Sequence, residues 1–171
     1  MKKYTIIAIV LLLGIAVVCL KNSFTTMPRD VRATRIVVEK HLHLMTVYTN
    51  DKTLRTYHIA LGRGDSAAKQ REGDNRTPEG HYFIDSKNER SQFHKALHIS
   101  YPSLQDVLRA KSQGVSPGGA VMIHGLRNNL RWLGPLHRLV DWTKGCVAVT
   151  DAEIDEIWTV VPVGTPVQIN H

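Results

Sequence analysis

Cys146 and His124 are the residues of this chain whose types and spacing suit nucleophilic catalysis. The thiol sits in Asp141-Trp142-Thr143-Lys144-Gly145-Cys146-Val147-Ala148-Val149, and the imidazole in the earlier run Met122-Ile123-His124-Gly125. A free thiol has a pKa of about 8.5 and is mostly protonated at neutral pH, so it needs a base or a positive charge nearby. His124 serves as that base if the two segments lie side by side. Gly125 and Gly145 allow backbone to approach a substrate or adopt angles closed to other residues. Amides around Gly145 and Cys146 are candidates to bind a developing oxyanion. A thiol, a base and amide donors together point to acyl transfer or hydrolysis through a thioester. A buried, inert cysteine beside an unrelated histidine is the competing explanation.

These residues need strands to position them. The apolar run before His124 (residues 120–124) and Cys146 to Val149 both read as strands, so the histidine ends one and the cysteine opens the next. Neighbouring strands lie about 4.8 Å apart, within reach of a thiol–imidazole contact. Further strands are expected at residues 35–40, 44–48, 53–61, 81–84, 96–100 and 166–169, with a hairpin turn at Asn50-Asp51-Lys52. Residues 62–80 form a long, Gly- and charge-rich loop, a length that is usually functional or disordered. Ser103 with Asp106 caps a helix reaching about Lys111, and Thr150-Asp151-Ala152-Glu153 is a capping box with Ile154, Ile157 and Trp158 behind it. Gly134-Pro135 breaks any helix over residues 128–140. The pattern predicts a mainly β fold, a sandwich or barrel with a few short helices.

The 171 residues suffice for one compact domain, and 22 Lys and Arg against 15 Asp and Glu give a formal charge of +7. That charge suits an anionic neighbour such as a cell-envelope polymer, but no basic cluster interleaved with aromatics supports nucleic-acid binding. Lys2 and Lys3 precede an apolar run from Tyr4 to Leu20, about 25 Å as a helix. Residues 1–21 thus read as one N-terminal hydrophobic helix, a signal peptide or a retained anchor, with no clear cleavage site after it. Residues 22–33 are a tether and 34–171 the catalytic domain. Lys2 and Lys3 direct the domain outward. The second cysteine, Cys19, lies in the apolar run, so the domain holds no disulfide scaffold and no cysteine-rich zinc site. His94 and His98 share the spacing of helical zinc ligands, but their segment reads as a strand, and no metal or other cofactor is expected.

His124-Gly125, the gap, and Thr143-Lys144-Gly145-Cys146 resemble the signature of the L,D-transpeptidase catalytic domain, the YkuD-like family. Gly73-Asp74-Asn75-Arg76-Thr77-Pro78-Glu79-Gly80, Ile59-Ala60-Leu61-Gly62 and Trp142 are similar to its other segments, and the resemblance runs from about Arg35 to Ile169. It implies a β-sandwich of the L,D-transpeptidase type and a cross-linking reaction in bacterial peptidoglycan. Cys146 would attack the carbonyl at the L-centre of a tetrapeptide stem and expel the terminal D-alanine. The acyl group would then pass to an amine or to water. By the same match His124 is the base, the Gly125 carbonyl holds its imidazole, and Thr143 keeps the hydroxyl of the family's serine. Lys144 stands where many members have His, and Ala148 where many have Arg or Asn. Those departures point towards a subgroup that includes hydrolases of peptidoglycan–protein links. A non-catalytic peptidoglycan-binding module is the remaining alternative. Partners would be stem peptides, a peptidoglycan-attached envelope protein, and the membrane through the N-terminal segment. The expected location is the periplasmic side of the cell envelope, with the chain anchored in the inner membrane or released after cleavage. His137 and Asp141 are candidates to contact substrate or orient the base, although a solvated helix face explains them as well. His98 and Tyr101 are cleft-lining candidates or packed strand residues, and Arg76 and Arg127 are candidates for stem carboxylates or solvated charges.

Overall fold

A computed structural model describes residues 30–171, so the apolar run and most of the tether lie outside the described residues. Eight strands build the domain: β1 (Arg35–Glu39), β2 (Leu44–Thr49), β3 (Lys52–His58), β4 (Gly80–Ser91), β5 (His94–Ile99), β6 (Met122–His124), β7 (Val147–Ala148) and β8 (Pro166–Asn170). Two α-helices accompany them, α1 (Leu104–Ser112) and α2 (Asp151–Val160). Hydrogen bonding orders the strands β3-β2-β1-β8-β4-β5-β6-β7.

The long strand β4 joins two halves of this sheet. Its first residues pair with β8, Gly80 opposite Ile169 through Phe83 opposite Pro166. From Ile84 onward it pairs with β5, with register shifts at Ile84/Ser86 and Asn88/Ser91. Bulges of this kind bend a strand and sharpen its twist. The far edges then meet, because Ala60 and Ala148 exchange backbone hydrogen bonds of 3.0 and 2.8 Å. Both halves supply one core: Ile36, Val38, Met45 and Val47 from one, Leu97, Ile99, Ile123 and Val147 from the other. The expected sandwich is therefore present, closed along one edge.

Local signals account for the element ends. Asn50 and Asp51 both have positive φ (43° and 64°), the conformation a two-residue hairpin turn requires. Ser103 and Thr150 cap α1 and α2 through complete capping boxes with Asp106 and Glu153. Ile154, Ile157 and Val160 give α2 its buried face, and it packs on β5 and β6. The strand expected at residues 53–61 stops at His58, because Ile59 to Leu61 leave β2 to bond His43, Ala148 and Thr143. The strand expected at 81–84 runs on to Ser91 as the continuous edge of the hairpin with β5. Among the described residues, no helix is long and apolar enough to cross a membrane.

Candidate active site

β6 and β7 run parallel, with Ile123 opposite Val147 and His124 opposite Ala148. Side chains alternate along a strand, so Cys146, two residues before Ala148, projects to the same face as His124. Ile123 and Val147 point the other way, into the core. The expected pairing of thiol and imidazole segments thus follows from register. His124 is 2% exposed, and its Nδ1 lies 2.7 Å from the carbonyl oxygen of Gly125. A carbonyl only accepts, so Nδ1 carries the proton and Nε2 keeps the lone pair that a general base needs. Burial pushes the imidazole down to about 4, although the Gly125 carbonyl works against the shift.

The thiol is also held neutral. Burial raises Cys146, while the Met122 amide and the charge of Lys69 pull it back. Its Sγ lies 3.6 Å from the Ala120 carbonyl. Neutral imidazole and neutral thiol fit proton transfer during attack rather than a resting ion pair.

Thr143 builds the turn that presents the cysteine. Its hydroxyl donates to the Cys146 carbonyl at 2.8 Å and accepts the Gly145 amide at 3.1 Å. The Gly145 amide is thereby occupied, a correction to its assignment as an oxyanion donor; the Cys146 amide has no partner among the described residues. Gly145 has φ 122°, and a Cβ there would meet the Arg76 carbonyl oxygen at 2.6 Å, so no other residue fits. At Gly125 a Cβ would meet Asp151 Oδ1 at 2.8 Å, so the segment after His124 lies against the start of α2.

Aromatic rings wall the imidazole. Phe93, in the β4–β5 turn, lies 4.4 Å from the His124 ring, and Trp142 meets it edge to face at 5.7 Å. Trp142 also abuts His137, its indole N–H 3.4 Å from Nδ1. His137 is buried, not part of a solvated face, and its Nε2 is without a partner. Burial and the neighbouring Arg138 guanidinium hold it down to about 4. Its segment, Arg131–Leu139, is 3-10 helix interrupted at Gly134, and Arg131 and Arg138 tie it to Asp151 and Glu153 of α2.

Other candidates are placed differently. Asp141 accepts the Leu61 amide at 2.7 Å and pairs with His43 at 2.9 Å, so it fastens the segment after β3. Tyr101 packs in the core with its hydroxyl donated to the Pro117 carbonyl at 2.8 Å. His98 pairs with Asp85 at 2.7 Å, and His94 with Asp155 at 2.9 Å. The guanidinium of Arg76 pairs with Asp65, while its carbonyl backs Gly145. Arg127 and Lys144 are exposed. Among the described residues no group of three or more His, Cys, Asp or Glu could hold a metal ion. A cavity of about 230 Å³ is lined by residues including Lys40, His43, Gly62, Thr77 and Asp141, but by neither Cys146 nor His124. Sequence reading missed Phe93, Lys69 and Asp74 as parts of this neighbourhood; nothing local marks Phe93, whereas the charge-rich loop holding the other two was a visible signal.

The fold is that of L,D-transpeptidase catalytic domains. A sequence model of the L,D-transpeptidase catalytic domain (YkuD) matches residues 33–169, and the chain belongs to that family. YafK of Escherichia coli strain K12, assigned by name to the L,D-transpeptidases, is 31% identical over 110 residues, covering 63% of this chain and 37% of YafK. The helical cell shape determining protein Pgp2 of Campylobacter jejuni superposes with a TM-score of 0.61 at 25% identity, covering 83% of this chain and 49% of Pgp2. L,D-transpeptidase 1 of Mycobacterium tuberculosis shares the fold, with a TM-score of 0.51 at 18% identity over 81% of this chain and 62% of that one. The chain spans about a third to a half of the length of YafK and Pgp2.

Proposed function

We propose that this chain is a peptidoglycan L,D-transpeptidase that works through a thioester on Cys146. The observation that supports this reading is the shared face of β6 and β7, which carries Cys146 and a histidine whose Nδ1 is pinned to Gly125, leaving Nε2 to accept a proton. His124 Nε2 takes the thiol proton as Sγ bonds to the carbonyl carbon at the L-centre of a tetrapeptide stem. The unpartnered Cys146 amide faces the oxyanion that forms. Collapse breaks the peptide bond, and the terminal D-alanine leaves with the proton from His124. An amine of a second stem then loses its proton to Nε2 and attacks the thioester, and Sγ departs to recover that proton. Water in place of the amine makes the same site a hydrolase.

The family match supports the substrate class, and the +7 charge suits an anionic wall polymer. Residues 1–21 would export the domain to the periplasmic side of the envelope, as an anchor or as a cleaved signal. A wall-shaping role, by analogy with the name of Pgp2, belongs to the same reading.

The test is incubation of residues 25–171, and of their Cys146→Ala variant, with peptidoglycan fragments, with and without attached envelope protein. New stem-to-stem links or exchanged terminal amino acids, absent with the variant, are the expected products. Released protein or shortened stems without new links would make the chain a hydrolase. No Cys146-dependent change would leave a binding module.

A further inference from the structure

The segment between His124 and the cysteine turn is packed inside out. Over residues 127–140 the one buried side chain is a histidine, His137. Trp132, Leu136, Leu139 and Val140 stand 76%, 61%, 78% and 66% exposed. Single exposed leucines are ordinary, but large apolar side chains crowded onto one short segment mark an interaction surface. The segment is held with this face outward. Arg131 and Arg138 tie it to Asp151 and Glu153 of α2, and the His137 ring lodges against Trp142, which meets His124 edge to face. Its inner side is the back of the wall around the imidazole, and its outer side faces solvent.

Charge around the patch is of one sign. Many cations of the domain have a carboxylate partner, as Lys69 has Asp74 and Arg109 has Asp106. Arg127, just before the segment, and Lys144, just after it, are exposed and carry no ion pair among the described residues. The acids close in sequence or contact are taken: Asp151 by Arg131, Glu153 by Arg138 and Asp141 by His43. Tryptophan and leucine rimmed by Arg and Lys is the composition of segments that lie in the headgroup layer of an anionic bilayer.

The sequence also gives a reason for a bilayer to be near. Residues 21–32, twelve in all, separate the apolar run Tyr4 to Leu20 from buried Ala33. Twelve residues extend to at most about 40 Å, and as a flexible coil they average about 20 Å. An apolar run retained in the bilayer would keep the domain at an effective concentration near millimolar, where a weak patch is enough.

We propose that residues 130–140 form a docking surface for an anionic phospholipid bilayer. Trp132, Leu136, Leu139 and Val140 enter the headgroup layer, and Arg127 and Lys144 meet lipid phosphates. Lys144 adjoins Gly145 and Cys146, so docking holds the cysteine turn close to the bilayer surface. The inference rests on the proposed envelope location and not on the reaction that Cys146 performs.

Vesicles test it on residues 25–171, which contain the whole described core. The domain is sedimented with vesicles of phosphatidylglycerol and phosphatidylethanolamine, and with vesicles of phosphatidylcholine alone. A basic protein adsorbs to anionic surfaces through charge alone, so insertion is read from tryptophan emission and its quenching by brominated acyl chains. Trp132 is the exposed indole, whereas Trp142 and Trp158 are half-buried. The expected result is sedimentation with the anionic vesicles, a blue shift and quenching. Trp132→Ser/Leu139→Ser should bind these vesicles about tenfold more weakly with an unchanged thermal transition. Leu104→Ser/Leu108→Ser, which removes exposed leucines of α1, should bind as the wild type does. Failure of the wild-type domain to sediment, or adsorption without blue shift and quenching, would overturn the proposal even if the first variant misfolded. So would a folded Trp132→Ser/Leu139→Ser with wild-type affinity, or an equal loss in the α1 variant. A dimer abolished by Trp132→Ser/Leu139→Ser, with no vesicle insertion, would overturn it too and make the patch a contact between copies. None of these readouts involves a stem peptide, so the proposed reaction stands or falls separately.

Discussion

The proposed role of His124 as base rests on where its two nitrogens look. Nδ1 is committed to the Gly125 carbonyl, and the ring is shut between Phe93 and Trp142, so it stays neutral down to about pH 4. The acid limb of thioester formation should therefore lie near pH 4 instead of 6.5, with the rate holding between pH 5 and 7. Rapid-quench acylation across that range checks it, and a limb near 6.5 would mean the imidazole is solvated in use. His124→Ala should slow acylation by about 10² to 10⁴, the usual worth of general-base help. Full activity in that variant would give the proton to another group.

At the scale of elements, the turn Thr143–Cys146 depends on one backbone angle. Gly145→Ala combines φ 122° with a 2.6 Å clash against the Arg76 carbonyl, and should destabilise the domain by about 2–3 kcal/mol in urea unfolding. Gly114 is a control: its φ is 67° but nothing lies within 4 Å of a Cβ, so its alanine variant should cost about 1 kcal/mol. Equal costs would mean that the contact with Arg76 is unimportant. The cysteine turn was legible in the sequence because its parts are contiguous: Thr143, Gly145 and Cys146 bond within four residues. The capping boxes of α1 and α2 were legible for the same reason. Phe93 and the Lys69–Asp74 pair were not, since a hairpin turn and a loop acquire their places only when distant strands close. Asp141 shows the converse. Its position beside the motif suggested a role in the site, while its carboxylate serves the Leu61 amide and His43.

Across the whole molecule, two buried histidines couple folding to pH. Burial lowers both His124 and His137 to about 4, so the native state leaves them neutral where the unfolded chain, with an ordinary pKa near 6.5, protonates them. The unfolded state then binds more protons between pH 4 and 6.5, and stability falls as pH drops through that window. Each histidine contributes a slope of up to about 1.4 kcal/mol per pH unit. Urea midpoints at pH 7, 6 and 5 should decline, and less so in His137→Phe; a flat series would mean that neither ring is buried in solution. Sheet closure through Ala60 and Ala148 encloses one core and also carries the segment after β3 to the cysteine side of the fold. Core and cysteine turn should therefore lose structure together, within one transition.

The proposed reaction requires that Cys146 become acylated by a stem peptide. Intact-protein mass spectrometry of the domain after brief mixing with a tetrapeptide stem tests it most directly. The expected result is a mass increase equal to the stem less its terminal D-alanine, mapped to Cys146, matched by released D-alanine and absent in Cys146→Ala. Stems processed equally by Cys146→Ala, with no adduct on the wild-type protein, would contradict it.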